Sequence, residues 1–166
     1  HLLREIADDQ VRTFEEDGVV LLRGMFDGDW IKHLGEAIDA NMSDPGPLVL
    51  EYADDDTGGR FHGDMFLWRR GAAFRDFVFD SPAAEIAGRM MGASKVSFFY
   101  DQLLVKEPGT NAPTPWHPDE PYWAVKGWQV CSLWLPMDPV TSDSGGMQYV
   151  KGSHKWSTKY RAQSFT

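Results

Sequence analysis

Between Leu2 and Glu16 the apolar side chains Leu3, Ile6, Ala7, Val11 and Phe14 return every three to four positions, with acidic residues among them. That period puts them on one face of a helix, so an amphipathic helix is predicted over 2–16, ended by Asp17-Gly18. The run VVLLRGMF at 19–26 is apolar, opens on β-branched residues and lies between Gly18 and the Asp27-Gly28 turn, which predicts a buried strand. From about Asp29 to Met42 the spacing of Trp30, Leu34, Ile38 and Met42 predicts a second helix, capped by Asp27 or Asp29. Residues 43–60, SDPGPLVLEYADDDTGGR, mix prolines, glycines and an acidic run, and read as a long solvated excursion. Ser81-Pro82 opens a third helix and Gly92 closes it. After Lys95 the pattern changes: KVSFFYDQLLVK, WQVCSLWLPM and MQYV are strand-like and separated by the turn clusters EPGTNAPTP and DPVTSDSGG. Helices first and strands afterwards predict an α+β fold with a mainly β core, a sandwich or barrel, in one domain over 1–166.

Composition narrows what such a domain does. A chain of 166 residues with 42% hydrophobic and 25% charged residues is long enough for a real core and unlike a disordered protein. Seven Trp and ten Phe call for a thick core or an aromatic-walled pocket. A net charge of -9 disfavours nucleic acid or an anionic membrane as partner and leaves small molecules open. With no apolar run approaching the ~20 residues of a membrane span and no signal-peptide core at the start, a cytoplasmic protein is expected. Cys131 stands alone, which rules out an internal disulfide or a multi-cysteine zinc site, so a metal here needs His, Asp and Glu.

One stretch carries such residues. In TPWHPDEPYW, residues 114–123, His117 and Asp119 are two positions apart. In an extended strand that spacing points both side chains to one face, where they can converge on an ion; Pro118 favours the extended form at His117. Alternatively the pair is a polar turn on a proline-rich loop. Of the other histidines, His33 reads as solvated beside Lys32 and Glu36, while His62 and His154 remain third-ligand or pocket candidates.

FEEDGVVLLRGMF, YDQLLVKEPGTNAPTPWHPDEPYW and QVCSLWLPMDPVTSDSGGMQYVKGSHKW together resemble, in order and spacing, the phytanoyl-CoA dioxygenase family of iron(II)- and 2-oxoglutarate-dependent oxygenases. The resemblance implies a double-stranded β-helix, jelly-roll or cupin-like, preceded by helices. It also implies hydroxylation of a small organic substrate by dioxygen, with succinate and carbon dioxide as co-products. Under it His117 and Asp119 match the histidine and aspartate of a two-histidine, one-carboxylate triad. The carboxylate argues for hydroxylation or another oxidation, since related halogenases place chloride there. Gln102 and Trp134 fall where relatives line the 2-oxoglutarate pocket, although a strand hydrogen bond and an ordinary core role would explain them equally.

Gly-Ser-His at 152–154 is a recurring family feature with a structural role, His154 being the substitute candidate for a third ligand. The position between the ligands is often Gln in relatives and is Pro118 here. The family's distal histidine and the arginine for the far carboxylate are expected beyond Thr166. Together with a start at His1 this suggests a truncated, cleaved or incompletely recorded protein lacking its last strands. Tyr122, Trp123, Phe61 and His62, with Phe66 and Trp68, are candidates for the substrate wall or for plain core packing. The acidic charge fits a coenzyme A thioester poorly. A non-catalytic small-molecule-binding module on the same fold, or an inactive truncated form, is the competing expectation.

Overall fold

The computed structural model describes residues 2–52, 59–110 and 113–162. Among the described residues four helices and three strands follow in the order α1 (Asp8–Asp17), α2 (Gly28–Ser43), β1 (Leu50–Glu51), β2 (Phe61–Met65), α3 (Ala72–Asp80), α4 (Ala83–Met91) and β3 (Gln102–Lys106). Short 3-10 turns follow at Leu67–Arg69, Glu120–Tyr122 and Ser153–Lys155. Among the described residues no helix is long and apolar enough to cross a membrane.

The first helix starts later than its periodicity predicts. Ala7 is still extended, the Gln10 side chain accepts its backbone N–H at 3.0 Å, and Asp8 and Asp9 meet the positive end of the helix dipole. Ile6, just outside the helix, is 3% exposed and packs with Met25, Ile86 and Met90 in the main apolar core. The segment 19–26 is not the strand its composition predicts. No neighbouring strand offers it a ladder among the described residues, and Arg23-Gly24 turns the chain, so it packs as irregular structure. Val20, Leu22 and Phe26 still lean on the core while Leu21 faces out. The second helix forms as expected, its cap being Asp27, whose carboxylate accepts the Trp30 N–H at 3.0 Å. Helix α3, which the sequence did not announce, packs Phe77 against Phe26 and Trp30 at 5.3 and 5.7 Å between ring centroids.

The sheet is antiparallel in the order β1-β2-β3, with Phe61 opposite Lys106, Gly63 opposite Leu104 and Met65 opposite Gln102. Successive residues of a strand point to opposite faces. His62 and Asp64 therefore share one face, and that face is covered by α2 through Asn41. The Asn41 amide donates to Asp64 at 2.8 Å, and its oxygen lies 2.9 Å from His62 Nε2. Asp64 also accepts from the N–H groups of Gly46 and Met65 and from Arg70. On the other side His62 Nδ1 meets Glu51 at 3.0 Å and Arg60 at 3.1 Å. Six side chains from α2, β1, β2 and their loops thus form one network around a buried carboxylate. A side chain at Gly46 would collide with the Arg70 guanidinium, so the glycine permits the approach.

The α+β class is as expected; the solvated excursion predicted over 43–60 instead holds strand β1, paired with β2, and a buried Gly46, while its residues 53–58 lie outside the described residues. The mainly β second half is not formed. Of the run 95–106 only Gln102–Lys106 is a strand, and 128–137 and 147–150 are irregular. A double-stranded β-helix is accordingly absent from the elements of the described residues. Alternation marks a stretch able to pair; a strand also needs a partner edge.

Candidate metal centre

The segment carrying His117 and Asp119 is built on a turn, not on the strand that its spacing and Pro118 suggest. Asp119 has helical backbone angles (φ -78, ψ -30) and opens the 3-10 turn Glu120–Tyr122, with Pro121 inside it. The Tyr122 N–H closes that turn on the Asp119 carbonyl at 2.9 Å. Turning instead of extending still brings the two side chains together: His117 Nε2 lies 3.3 Å from Asp119 Oδ1.

The other ring nitrogen sets the chemistry. His117 Nδ1 lies 2.7 Å from the carbonyl oxygen of Pro115, an acceptor only, so Nδ1 carries the proton and donates it there. In the neutral ring Nε2 then presents a lone pair to a carboxylate oxygen. Two acceptors facing each other at this distance need a cation between them, either a proton or a metal ion. A backbone carbonyl holding the far nitrogen is also the usual orienting partner of a metal-bound histidine. Two donors each about 2.1 Å from a divalent ion and at right angles are about 3 Å apart, so the observed separation fits one ion.

Several contacts hold this segment in place. The Tyr122 ring stands edge-on to His117 at 6.0 Å and 88°. The Trp123 indole N–H donates to the Tyr100 hydroxyl at 3.2 Å, and the Lys106 ammonium donates to Thr114 at 3.3 Å. Lys106 also lies 4.5 Å above the Phe61 ring, and burial pushes its pKa below the ordinary lysine range. Tyr149 belongs to the same neighbourhood: burial raises its phenol above the ordinary range, and the Asp119 carboxylate adds to the effect. Nothing in the motif pattern singled Tyr149 out, since MQYV reads only as a short strand.

Gln102 lies on the sheet face opposite α2, with Leu104 and Lys106, and hydrogen-bonds Tyr52 there. Lys106 ties Thr114, and with it the segment carrying His117 and Asp119, to this same face. Trp134 is 43% exposed in an irregular stretch, and the strand expected to aim it is not formed. Phe61 and His62 do not line an open wall. Phe61 is buried beneath Tyr52 and Lys106, and His62 is fully buried in the Asp64 network on the far face. Phe66 packs on Tyr100, and Trp68 between Phe79 and Phe98.

His154 serves the N-terminal helix. Its Nε2 is 3.1 Å from the Glu15 carbonyl, beside the Gly152 N–H on the Asp17 carbonyl at 2.8 Å and the Lys151–Asp17 ion pair at 2.6 Å. His154 and the Gly152 N–H meet carbonyls that the last turn of α1 leaves open, while Lys151 pairs with the Asp17 carboxylate. That is where the structure places the substitute candidate for a third ligand. His33 is exposed and pairs with Asp76 at 3.3 Å, as its polar face suggests. Among the described residues no three His, Cys, Asp or Glu side chains converge as a metal-holding group.

A family model described as Phytanoyl-CoA dioxygenase (PhyH) matches residues 14–166. No curated protein and no solved structure matches the chain.

Proposed function

The chain belongs to the phytanoyl-CoA dioxygenase family, and on that premise we propose that it acts as an iron(II)- and 2-oxoglutarate-dependent oxygenase that hydroxylates a small organic substrate. The observation that carries the reading is the His117–Asp119 pair: Nε2 and Oδ1 face each other at 3.3 Å with Nδ1 fixed on the Pro115 carbonyl. His117 and Asp119 would hold the ion. When bound with 2-oxoglutarate and dioxygen, it supplies oxidative decarboxylation of the co-substrate to succinate and carbon dioxide, coupled to insertion of one oxygen atom into a substrate C–H bond.

The chain's own residues do the positioning. Pro115 fixes the imidazole tautomer, Tyr122 braces the ring from the side, and the 3-10 turn after Asp119 sets the direction of the carboxylate. Gln102, held by Tyr52 on the sheet face opposite α2, would orient the polar co-substrate; Trp134 is proposed for the same pocket. A double-stranded β-helix is the scaffold this reading entails, and support for it comes from the family match and from a sheet whose one face is covered by α2 while Leu104 on the other stays 48% exposed.

The test is release of carbon dioxide from labelled 2-oxoglutarate by the purified chain with iron(II) and ascorbate, which proceeds slowly even without the prime substrate. Iron-dependent release supports the reading. Thermal stabilisation by 2-oxoglutarate with no metal dependence and no release would identify a binding module instead.

A further inference from the structure

A cavity of about 380 Å³ opens against the turn that follows Asp119, its wall formed by Pro121, Trp123 and Val125 on the apolar side and Glu120, Lys126 and Lys159 on the polar side. That volume lies within the roughly 300–1,000 Å³ of small-molecule sites. Glu120 and Pro121 belong to the same 3-10 turn that Asp119 opens, so a molecule in the cavity rests against the ligand segment itself. The Trp123 ring is a fixed surface, because its N–H is held by the Tyr100 hydroxyl at 3.2 Å.

The charge of the wall runs against that of the chain. Glu120 is matched by Lys159 at 3.3 Å, which among the described residues of the wall leaves Lys126 as one positive charge in excess in a protein of net charge -9. A single cation next to apolar surface, in an otherwise acidic molecule, gathers anions locally that the remainder repels. An aromatic and aliphatic wall takes an apolar body, and one excess cation takes one negative group.

We propose that this cavity is the substrate pocket and that it admits a small monoanion with an apolar body, the anionic group on Lys126 and the body against Trp123, Pro121 and Val125. The pocket's role as a substrate site rests on the oxygenase reading; its preference for an anion does not, and binding tests it without iron.

Phenylbutyrate and its neutral amide have the same body and differ in charge, so they serve as probes. Titrated calorimetrically into the full chain without metal, phenylbutyrate is expected to bind, the amide about tenfold more weakly, and added salt to weaken only the former. Lys126→Gln should weaken phenylbutyrate about tenfold and leave the amide unchanged. Val125→Asp, which puts a carboxylate in the apolar wall, should weaken both. Equal binding of the two probes, indifference to Lys126→Gln, or no binding of either overturns the proposal. The visible absorption of the same samples with iron(II) and 2-oxoglutarate separates the two readings. A charge-transfer band without probe binding sinks the pocket alone, whereas probe binding without the band supports the anion site and sinks the oxygenase reading.

Discussion

At Asp119 a helical backbone angle does what a strand was expected to do. The two-residue spacing made His117 and Asp119 visible as a pair, and Pro118 suggested how they converge, yet the convergence comes from the turn that Pro121 stabilises. The Pro115 carbonyl that fixes the imidazole was not legible, because backbone acceptors have no sequence signature. His62 illustrates the opposite failure: a histidine after an acidic loop looks like a pocket group, but its neighbours in space, Asn41 and Glu51, lie 21 and 11 residues away. Replacing Asn41 by Ala should leave both Asp64 and His62 short of a partner inside the protein. The expected loss is about 2–4 kcal/mol in a urea melt, against less than about 0.5 kcal/mol for Lys126→Gln on the surface. A change at Asn41 no larger than the surface control would contradict the role given to the network.

Asp64 also fixes how stability responds to acid. Burial alone would raise its carboxyl, but the bonds from Asn41, Gly46 and Met65, with the Arg70 charge, outweigh it and hold it below the ordinary range. A carboxyl lowered by folding contributes stability that is present above the unfolded value of about 3.9 and lost as pH falls through the folded value. Glu51, lowered chiefly by its bond to Arg60, adds in the same direction but is half exposed and counts for less. Asp101 has the opposite sign: burial raises it, so its contribution is present at low pH and is lost as pH rises through its folded value. Asp101→Asn should therefore raise the unfolding midpoint at neutral pH and not below about pH 3, where the native side chain is already protonated. A neutral-pH midpoint that stays the same or drops would contradict the destabilising role given to the ionised carboxylate.

Among the elements, helices were easier to read than strands. A helix satisfies its own backbone, so the period of α2 and the stop signals around α4 sufficed to place both. The predicted strands at 19–26 and 128–137 needed partner edges that periodicity cannot specify. Helix α3 was missed because Phe74, Phe77 and Val78 lie in a short, aromatic-rich stretch that reads equally as strand or core loop. The end of α1 was read correctly at Gly18, but not its second reason. Gly18 sits at φ 77, a left-handed angle, and the His154 ring occupies the space where a side chain would project. Gly18→Ala should cost about 1–2 kcal/mol from the angle plus the clash with His154. The same substitution in a His154→Ala background should cost measurably less, and an identical cost in both would show that the ring is not pressed on α1.

Across the whole molecule, polar and apolar surface are unevenly shared. The sheet face under α2 is closed by a hydrogen-bonded network, whereas the side bearing Gln102, Lys106 and the ligand segment keeps large apolar groups such as Leu104 and Trp116 exposed. The site proposed for a metal and a polar co-substrate lies on that second side, and a net charge of -9 does not oppose a divalent cation there. The family was legible from the order of three motifs and is matched over residues 14–166. The double-stranded β-helix that the resemblance implies is not formed by the described residues, whose strands make one three-stranded antiparallel sheet; pairing across such a fold would join residues far apart in sequence, which periodicity does not specify. The most direct measurement is an anaerobic titration of the purified chain with iron(II) and then 2-oxoglutarate, followed by visible absorption. The expected result is a charge-transfer band that requires both additions and disappears in Asp119→Ala with the fold intact by circular dichroism. No band, or a band indifferent to Asp119, would contradict the assignment of His117 and Asp119 as the metal-holding pair.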